Sequence, residues 1–222
     1  AAAAIDMGNT FLSCENIPEN LKEELISTTN SILPNRLLKN AKTTEKDVLE
    51  DIKKLVKEKR FDEAVRQLEG VENKDVNYFM LATSVYLMQG DHQKALKVGK
   101  VAWDLDNQNT FISLTLGIIY DLHLNDPDTA VEYYEKSLTL PHPHPYAANR
   151  LGTIYKKKKD YENAIKYHKQ AVSKNIKQSL LSLGDIYLEI NDLKKAEKYF
   201  EDAIDANVEG ANTALAKFFR KQ

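Results

Sequence analysis

The chain holds a single cysteine, Cys14, among its 222 residues. One thiol cannot form an intrachain disulfide, and nothing in the cysteine usage declares an oxidising compartment. Charge of one sign is also missing. Lys and Arg number 31 against 33 Asp and Glu, for a net charge of −2, so no global field favours nucleic acid. No apolar run approaches the roughly 18 residues of a membrane span. A phosphate loop, a dinucleotide fingerprint, Cys/His spacings for zinc and a Gly-x-Ser-x-Gly elbow are all absent from the sequence. Carboxylates are plentiful, but on amphipathic helices they read as solvated faces, and no activated nucleophile sits beside a base. The expectation is a protein that is not an enzyme and carries no cofactor and no metal. Apolar residues make up 42% of the chain, enough to bury a core.

What is present is a pattern that recurs five times: a helix-opening residue, three residues, an alanine, an apolar or helical residue. The copies run Arg60–Val65, Asp91–Leu96, Asp126–Val131, Asp160–Ile165 and Asp192–Glu197. Their alanines, Ala64, Ala95, Ala130, Ala164 and Ala196, lie 31, 35, 34 and 32 residues apart. A period in this range marks stacked helical hairpins. Four copies open on aspartate, four residues before the alanine, where a carboxylate accepts orphan backbone donors and complements the helix dipole. Asp126-Pro127 adds proline at the first helical position.

Along the chain, residues 1–16 read as a flexible tail, with Ala1 to Ala4 outside the fold. Phe11-Leu12-Ser13-Cys14 resembles a lipoprotein cleavage box but lacks the basic and apolar regions of a signal, so Cys14 reads as an ordinary tail residue. Residues 17–42 suggest one or two short helices divided by Pro34. Residues 43–222 form the array, with repeats at about 45–72, 75–106, 110–140, 145–175 and 177–207 and a cap at 208–222. Helix A of each repeat is expected at 45–59, 75–89, 110–124, 146–158 and 177–190. Helix B is expected at 61–70, 92–104, 127–139, 161–174 and 193–206. The third repeat carries one extra residue, placed in its turn around Asn125. In the cap, Leu215, Ala216 and Phe219 continue the A-helix pattern, with Lys217 and Arg220 on a polar side. Trp103 is expected beyond the second B helix, between repeats.

Helix A carries its own signature, Leu-Gly-x-x-Tyr, at Leu116–Tyr120, Leu151–Tyr155 and Leu183–Tyr187. A mid-helix glycine costs about 1 kcal/mol relative to alanine. Its recurrence implies a close helix–helix contact, with the small alanine expected to face it. Together with the later alanine and aromatic residue, these motifs resemble the tetratricopeptide repeat. The best copies are Leu151, Gly152, Tyr155, Ala164, Tyr167 and Ala171, then Leu183, Gly184, Tyr187, Ala196, Phe200 and Ala203. The short connections, as in Ala171…Asn175…Ser179…Leu183-Gly184, are similar to Sel1-like repeats. The first repeat departs from the pattern with Ile52 at the glycine position, and the second has Thr83 there. The resemblance implies an all-α, right-handed α-solenoid of about five helix-turn-helix repeats with an N-terminal helical segment and a capping helix.

It also implies a concave groove lined by the A helices. Carried over relative to each glycine position, the groove residues are Asn77, Met80, Ser84, Leu87 and Met88 in the second repeat. The third supplies Phe111, Leu114, Ile118, Asp121 and Leu122. The fourth supplies Tyr146, Asn149, Thr153, Lys156 and Lys157, and the fifth Leu181, Asp185, Leu188 and Glu189. This strip is apolar in repeats two and three and charged in repeats four and five. An apolar strip open to solvent marks a binding surface, and methionines suit an adaptable contact. The residues that follow the glycine position, Ser84, Ile118, Thr153 and Asp185, lack the asparagine of the chaperone-binding subclass, which speaks against a chaperone-tail clamp.

Two local sequences stand apart. Pro141-His142-Pro143-His144-Pro145 reads as a stiffened extended linker, because residues two apart in polyproline geometry do not share a side. Lys156 to Lys159 read as favourable charge at a helix C-terminus. The functional expectation is a non-catalytic, cytoplasmic scaffold or adaptor that binds a helical or extended protein segment in its groove, without nucleic acid and without membrane insertion. The alternative is a structural subunit of a larger complex, or a homodimer, using its convex face and ends, with the groove filled by residues 17–42 or by a neighbour.

Overall fold

The computed structural model describes residues 43–220. The expected tail, the segment 17–42 and the last two residues of the cap lie outside the described residues. Every regular element among the described residues is a helix. They are α1 (Thr43–Lys57), α2 (Phe61–Glu69), α3 (Val76–Gln89), α4 (His92–Leu105), α5 (Thr110–Ile118), α6 (Pro127–Thr139), α7 (Pro145–Lys157), α8 (Tyr161–Ser173), α9 (Ser179–Glu189), α10 (Leu193–Asp205) and α11 (Ala211–Phe219). The fold is all-α and built of helical hairpins.

The aspartates cap as their spacing predicts. Asp91, Asp126, Asp160 and Asp192 each accept a hydrogen bond from the backbone N–H three residues on, at Lys94, Thr129, Asn163 and Lys195. Side-chain bonds from Thr129, Asn163 and Lys195, with these backbone bonds, hold Asp126, Asp160 and Asp192 below the usual carboxylate range, and for Asp91 the backbone bond leads, with the Lys94 side chain second. Arg60 makes no such cap bond; its guanidinium instead holds Glu58 and Glu63 at 2.8 and 2.7 Å.

The residue before each cap adopts a left-handed conformation: Lys59, Gly90, Asn125, Lys159 and Asn191. The cap N–H then reaches back to a carbonyl near the end of helix A, as Asp91 does to Tyr86, Asp160 to Tyr155 and Asp192 to Tyr187 at 2.8–2.9 Å. This closes the helix end in a Schellman-type turn. In the third repeat Asp126 makes the equivalent bond to Tyr120, one residue further back. The extra residue is therefore not in the turn around Asn125, as the spacing suggested. It is taken up inside the helix, where Ile119–His123 forms a π-turn and the N–H of Leu124 bonds Ile119 O.

The glycines make the contact that their recurrence predicts, but not against the alanines. A Cβ on Gly152 would lie 2.6 Å from the His168 ring, and one on Gly184 would lie 2.5 Å from the Phe200 ring. His168 and Phe200 stand four residues after the anchor alanines. The alanines are fully buried, all at 0% exposure, while the rings one turn later pack against the glycines. Beside this contact, Tyr155 stacks on Tyr167 and Tyr187 on Tyr199, with ring centroids 5.5 and 5.3 Å apart. Such pairs contribute about 0.5–1.5 kcal/mol beyond their area.

The chain divides into two compact units, with the division inside α6 between Tyr133 and Tyr134. Unit 1 comprises α1–α5 and the start of α6, with residues 140–142. Part of its core joins Ile52, Leu55, Ala64, Leu68, Tyr78, Leu81 and Val85. Its Trp103 lies within α4, half-buried and edge-on to Tyr133, rather than beyond the helix. Unit 2 comprises the end of α6, residues 134–139, and everything from Pro143. One of its clusters joins Leu183, Tyr187, Ala196, Phe200 and Phe218. In α11 the core aromatic is Phe218, at 1% exposure, whereas Phe219, expected in that place, is 52% exposed.

Candidate binding surface

In unit 1 the expected groove residues are mostly interior. Met80, Ser84, Leu87, Phe111, Leu114 and Ile118 are all buried, with Leu114 at 0% and Phe111 the most exposed at 6%. Met88, Asp121, Leu122 and Asn77 are half-buried. Helix α5 is buried along all nine of its residues, so it offers no open face. Met80 and Phe111 line a small void of about 10 Å³ with Thr83, Gly99, Ala102, Ile112 and Thr115. Part of this packing runs through α4. Its residue four after the anchor alanine is Gly99, where the other B helices carry Leu68, Tyr134, His168 and Phe200. With no side chain there, neighbours close in: a Cβ on Gly99 would lie 3.1 Å from Leu116 Cδ2 and 3.4 Å from Thr83 Cγ2. The Thr83 hydroxyl donates to Phe79 O and the Ser84 hydroxyl to Met80 O, which satisfies both inside the helix. The apolar strip is thus not an exposed surface in this structure.

In unit 2 the expected positions behave differently. Tyr146 is buried, but Asn149, Thr153, Lys156, Leu181 and Leu188 are half-buried, and Lys157, Asp185 and Glu189 are exposed. These residues come from α7 and α9. Lys156 Nζ lies 3.4 Å from an Asp185 oxygen and 3.3 Å from a Glu189 oxygen, which ties α7 to α9. Tyr161 donates its hydroxyl to Glu189 at 3.1 Å. One lysine is thereby shared between two carboxylates, and Lys157 remains on the outside of the helix end. Lys156 and Lys157 form the last turn of α7, where cations complement the dipole; Lys159 is the left-handed residue of the turn.

Beneath this face runs a buried polar chain that the sequence did not reveal. Ser179 at the start of α9 donates its hydroxyl to Asn149 Oδ1 at 2.8 Å. His168 Nδ1 lies 3.3 Å from the same hydroxyl. His168 is fully buried. Burial, with the nearby charges of Lys156 and Arg150, pushes its imidazole down to about 4, so the ring is neutral at physiological pH. The column of residues four after each anchor alanine holds the signal that would have found it, since His168 is the only titratable imidazole in that column.

The remaining histidines divide between the linker and one stacked pair. His142 is exposed, while His144 is buried and caps α7, its Nδ1 accepting from the Tyr146 N–H at 3.3 Å. The linker bends at residues 140–142 rather than running straight. His92 and His123 stack at 4.2 Å in unit 1, the latter carried there by the π-turn. No helix among the described residues is long and apolar enough to cross a membrane.

Comparison with known proteins agrees with this geometry. The tetratricopeptide repeat matches residues 113–141, 145–173 and 178–207. The chain thus contains tetratricopeptide repeats over these residues, a repeat whose members generally serve as protein-interaction scaffolds. It is 30% identical over 114 residues to the BBSome complex member BBS4 of Bos taurus, an alignment that takes in 50% of this chain and 22% of that protein. The chain thus spans about a fifth of the length of that curated relative. Among solved structures it resembles MamA from Desulfovibrio magneticus RS-1 at a TM-score of 0.65 and 19% identity, over 75% of this chain and 96% of that one. It also resembles YrrB, described as a tetratricopeptide protein with an unusual peptide-binding site, at a TM-score of 0.62 and 16% identity, over 79% and 91%. At these identities the structural likeness speaks to the fold.

Proposed function

We propose that the chain is a non-catalytic scaffold that binds a protein segment on the α7–α9 face of unit 2. The observation that carries this reading is the accessibility of Asn149, Thr153, Lys156, Leu181, Asp185, Leu188 and Glu189, beside the burial of their counterparts in unit 1. Leu181 and Leu188 supply half-open apolar contact, and the Lys156–Asp185–Glu189 cluster supplies charge that a partner can re-pair. Side chains such as Met80, Phe111 and Leu114 do not meet a partner while they stay buried. The test is a peptide-display selection on the wild-type chain, with the enriched peptides measured on Lys156→Glu and on Asp185→Lys. Affinity falls at least several-fold in a variant that melts with the wild type. Equal affinity in both folded variants contradicts the assignment.

A second reading is favoured by a separate observation. Leu105 and Phe219 are large apolar side chains more than half exposed, at 56 and 52%, and the relative BBS4 is named as a member of a complex. On this reading the chain is a structural subunit that uses its convex face and ends. Phe219→Asp then abolishes assembly, whereas Lys156→Glu leaves it intact.

A further inference from the structure

The buried chain His168–Ser179–Asn149 has a direction, and that direction decides what the face of unit 2 presents. A serine hydroxyl has one proton to give. Ser179 gives it to Asn149 Oδ1, so the contact with His168 must run the other way, from Nδ1–H of the ring to Ser179 Oγ. The reverse arrangement, with Asn149 turned over, has the amide donating to Ser179 and Ser179 donating to Nδ1. That would place the ring proton on Nε2.

The environment of Nε2 distinguishes the two. Nε2 is buried and finds no hydrogen-bond partner among the described residues. It lies against Gly152, where a Cβ would come within 2.8 Å of it. A buried N–H donor left without an acceptor is rarer and costlier than an acceptor left without a donor. The Nδ1–H tautomer leaves only a lone pair unmatched, over the Gly152 backbone. The opposite tautomer strands a proton there.

We infer that His168 is a positioning residue: through Ser179 it fixes the Asn149 carboxamide with its oxygen inward and its NH2 toward the open face of α7. Asn149 is half-buried, and its Nδ2 makes no hydrogen bond among the described residues. The face therefore offers a fixed amide donor two turns of α7 before Lys156, a recognition element for a carbonyl oxygen in an extended partner segment. This inference rests on the binding reading above, but the tautomer itself does not. His168 also shows why this repeat departs from its neighbour: a phenyl ring at the same place, as at Phe200, fills the space over the glycine and carries no proton to orient anything.

Two measurements on the full chain decide it. Long-range nitrogen–proton NMR of the histidine rings at neutral pH is expected to show His168 protonated on Nδ1 with a pyridine-like Nε2. An Nε2–H tautomer overturns the inference whether or not any peptide binds. For binding, peptides selected on the wild type are measured against His168→Phe and Ser179→Ala. Each is expected to weaken them about five-fold, the worth of one hydrogen bond, and the double variant no further. Wild-type affinity in a folded His168→Phe, with Ser179→Ala likewise unchanged, overturns the positioning role. A selection that yields no peptide on the wild type counts against the binding reading alone, and the NMR tautomer still decides the inference.

Discussion

Repeats two and five place the same two helices in the same contact with the side chains exchanged. In repeat five, Gly184 of α9 receives the Phe200 ring of α10. In repeat two, the A helix carries Thr83 and the B helix carries Gly99, and it is the A-helix side and its neighbours that fill the gap. One large and one small residue are required; which helix carries which is free. The outer faces differ as well. In unit 1 Met80 and Phe111 line a small void with Gly99, and α5 is buried throughout. In unit 2 the rings of His168 and Phe200 complete the core from the B side, and α7 and α9 are left with a half-polar face. The two units thus differ in which of these side chains are accessible.

The comparison can be broken most severely at Phe200. Phe200→Ala removes a 1%-exposed ring and is expected to cost about 3–5 kcal/mol in urea unfolding. Gly184→Ala forces a Cβ to within 2.5 Å of that rigid ring and is expected to cost about 1–3 kcal/mol. A neutral Gly184→Ala contradicts the ring-on-glycine contact. Gly99→Ala sharpens the contrast. Its Cβ meets the movable end of Leu116 at 3.1 Å, and helix propensity returns up to about 1 kcal/mol. Its net effect is expected within about 1 kcal/mol of zero, well below that of Gly184→Ala.

Acid gives a gentler test that touches both units. Burial, with His92 nearby, pushes His123 of unit 1 down to about 4, and burial likewise pushes His168 of unit 2 down to about 4. Both folded values lie below the ordinary value of 6.5. Their contribution to stability is therefore complete above pH 6.5 and is lost as pH falls from 6.5 toward 4. The melting temperature is expected to decline across that window, and His168→Phe is expected to lessen the decline. The capping aspartates, held below the usual carboxylate range, add their loss only below about pH 4. A melting temperature flat from pH 7 to 4.5 contradicts the account of the buried imidazoles.

Much of the fold was legible because its signals are local. An aspartate four residues before a buried alanine needs only its own helix to act as a cap, and the four caps start α4, α6, α8 and α10. The glycine contact was legible in kind but not in partner: spacing shows that something approaches Gly152 and Gly184, while only packing shows that it is the residue one turn past the alanine. The extra residue of the third repeat was visible as a count, yet its place in a π-turn depends on Asn125 keeping the same left-handed role as Lys159 and Asn191. The groove positions transferred from the repeat pattern carry directions but not burial. Gly99, which lines a void with Met80 and Phe111, belongs to the other helix. The same holds for Asn149, whose orientation is set by Ser179 and His168 from two further elements.

On the reading proposed above, the partner-facing surface lies on α7 and α9 and not on α3 and α5. Hydrogen–deuterium exchange of the full chain, with and without a peptide selected on it, tests this most directly. Slower exchange is expected at residues 145–157 and 179–189 on binding, with residues 76–89 and 110–118 unchanged. Protection confined to 76–89 and 110–118 would contradict it.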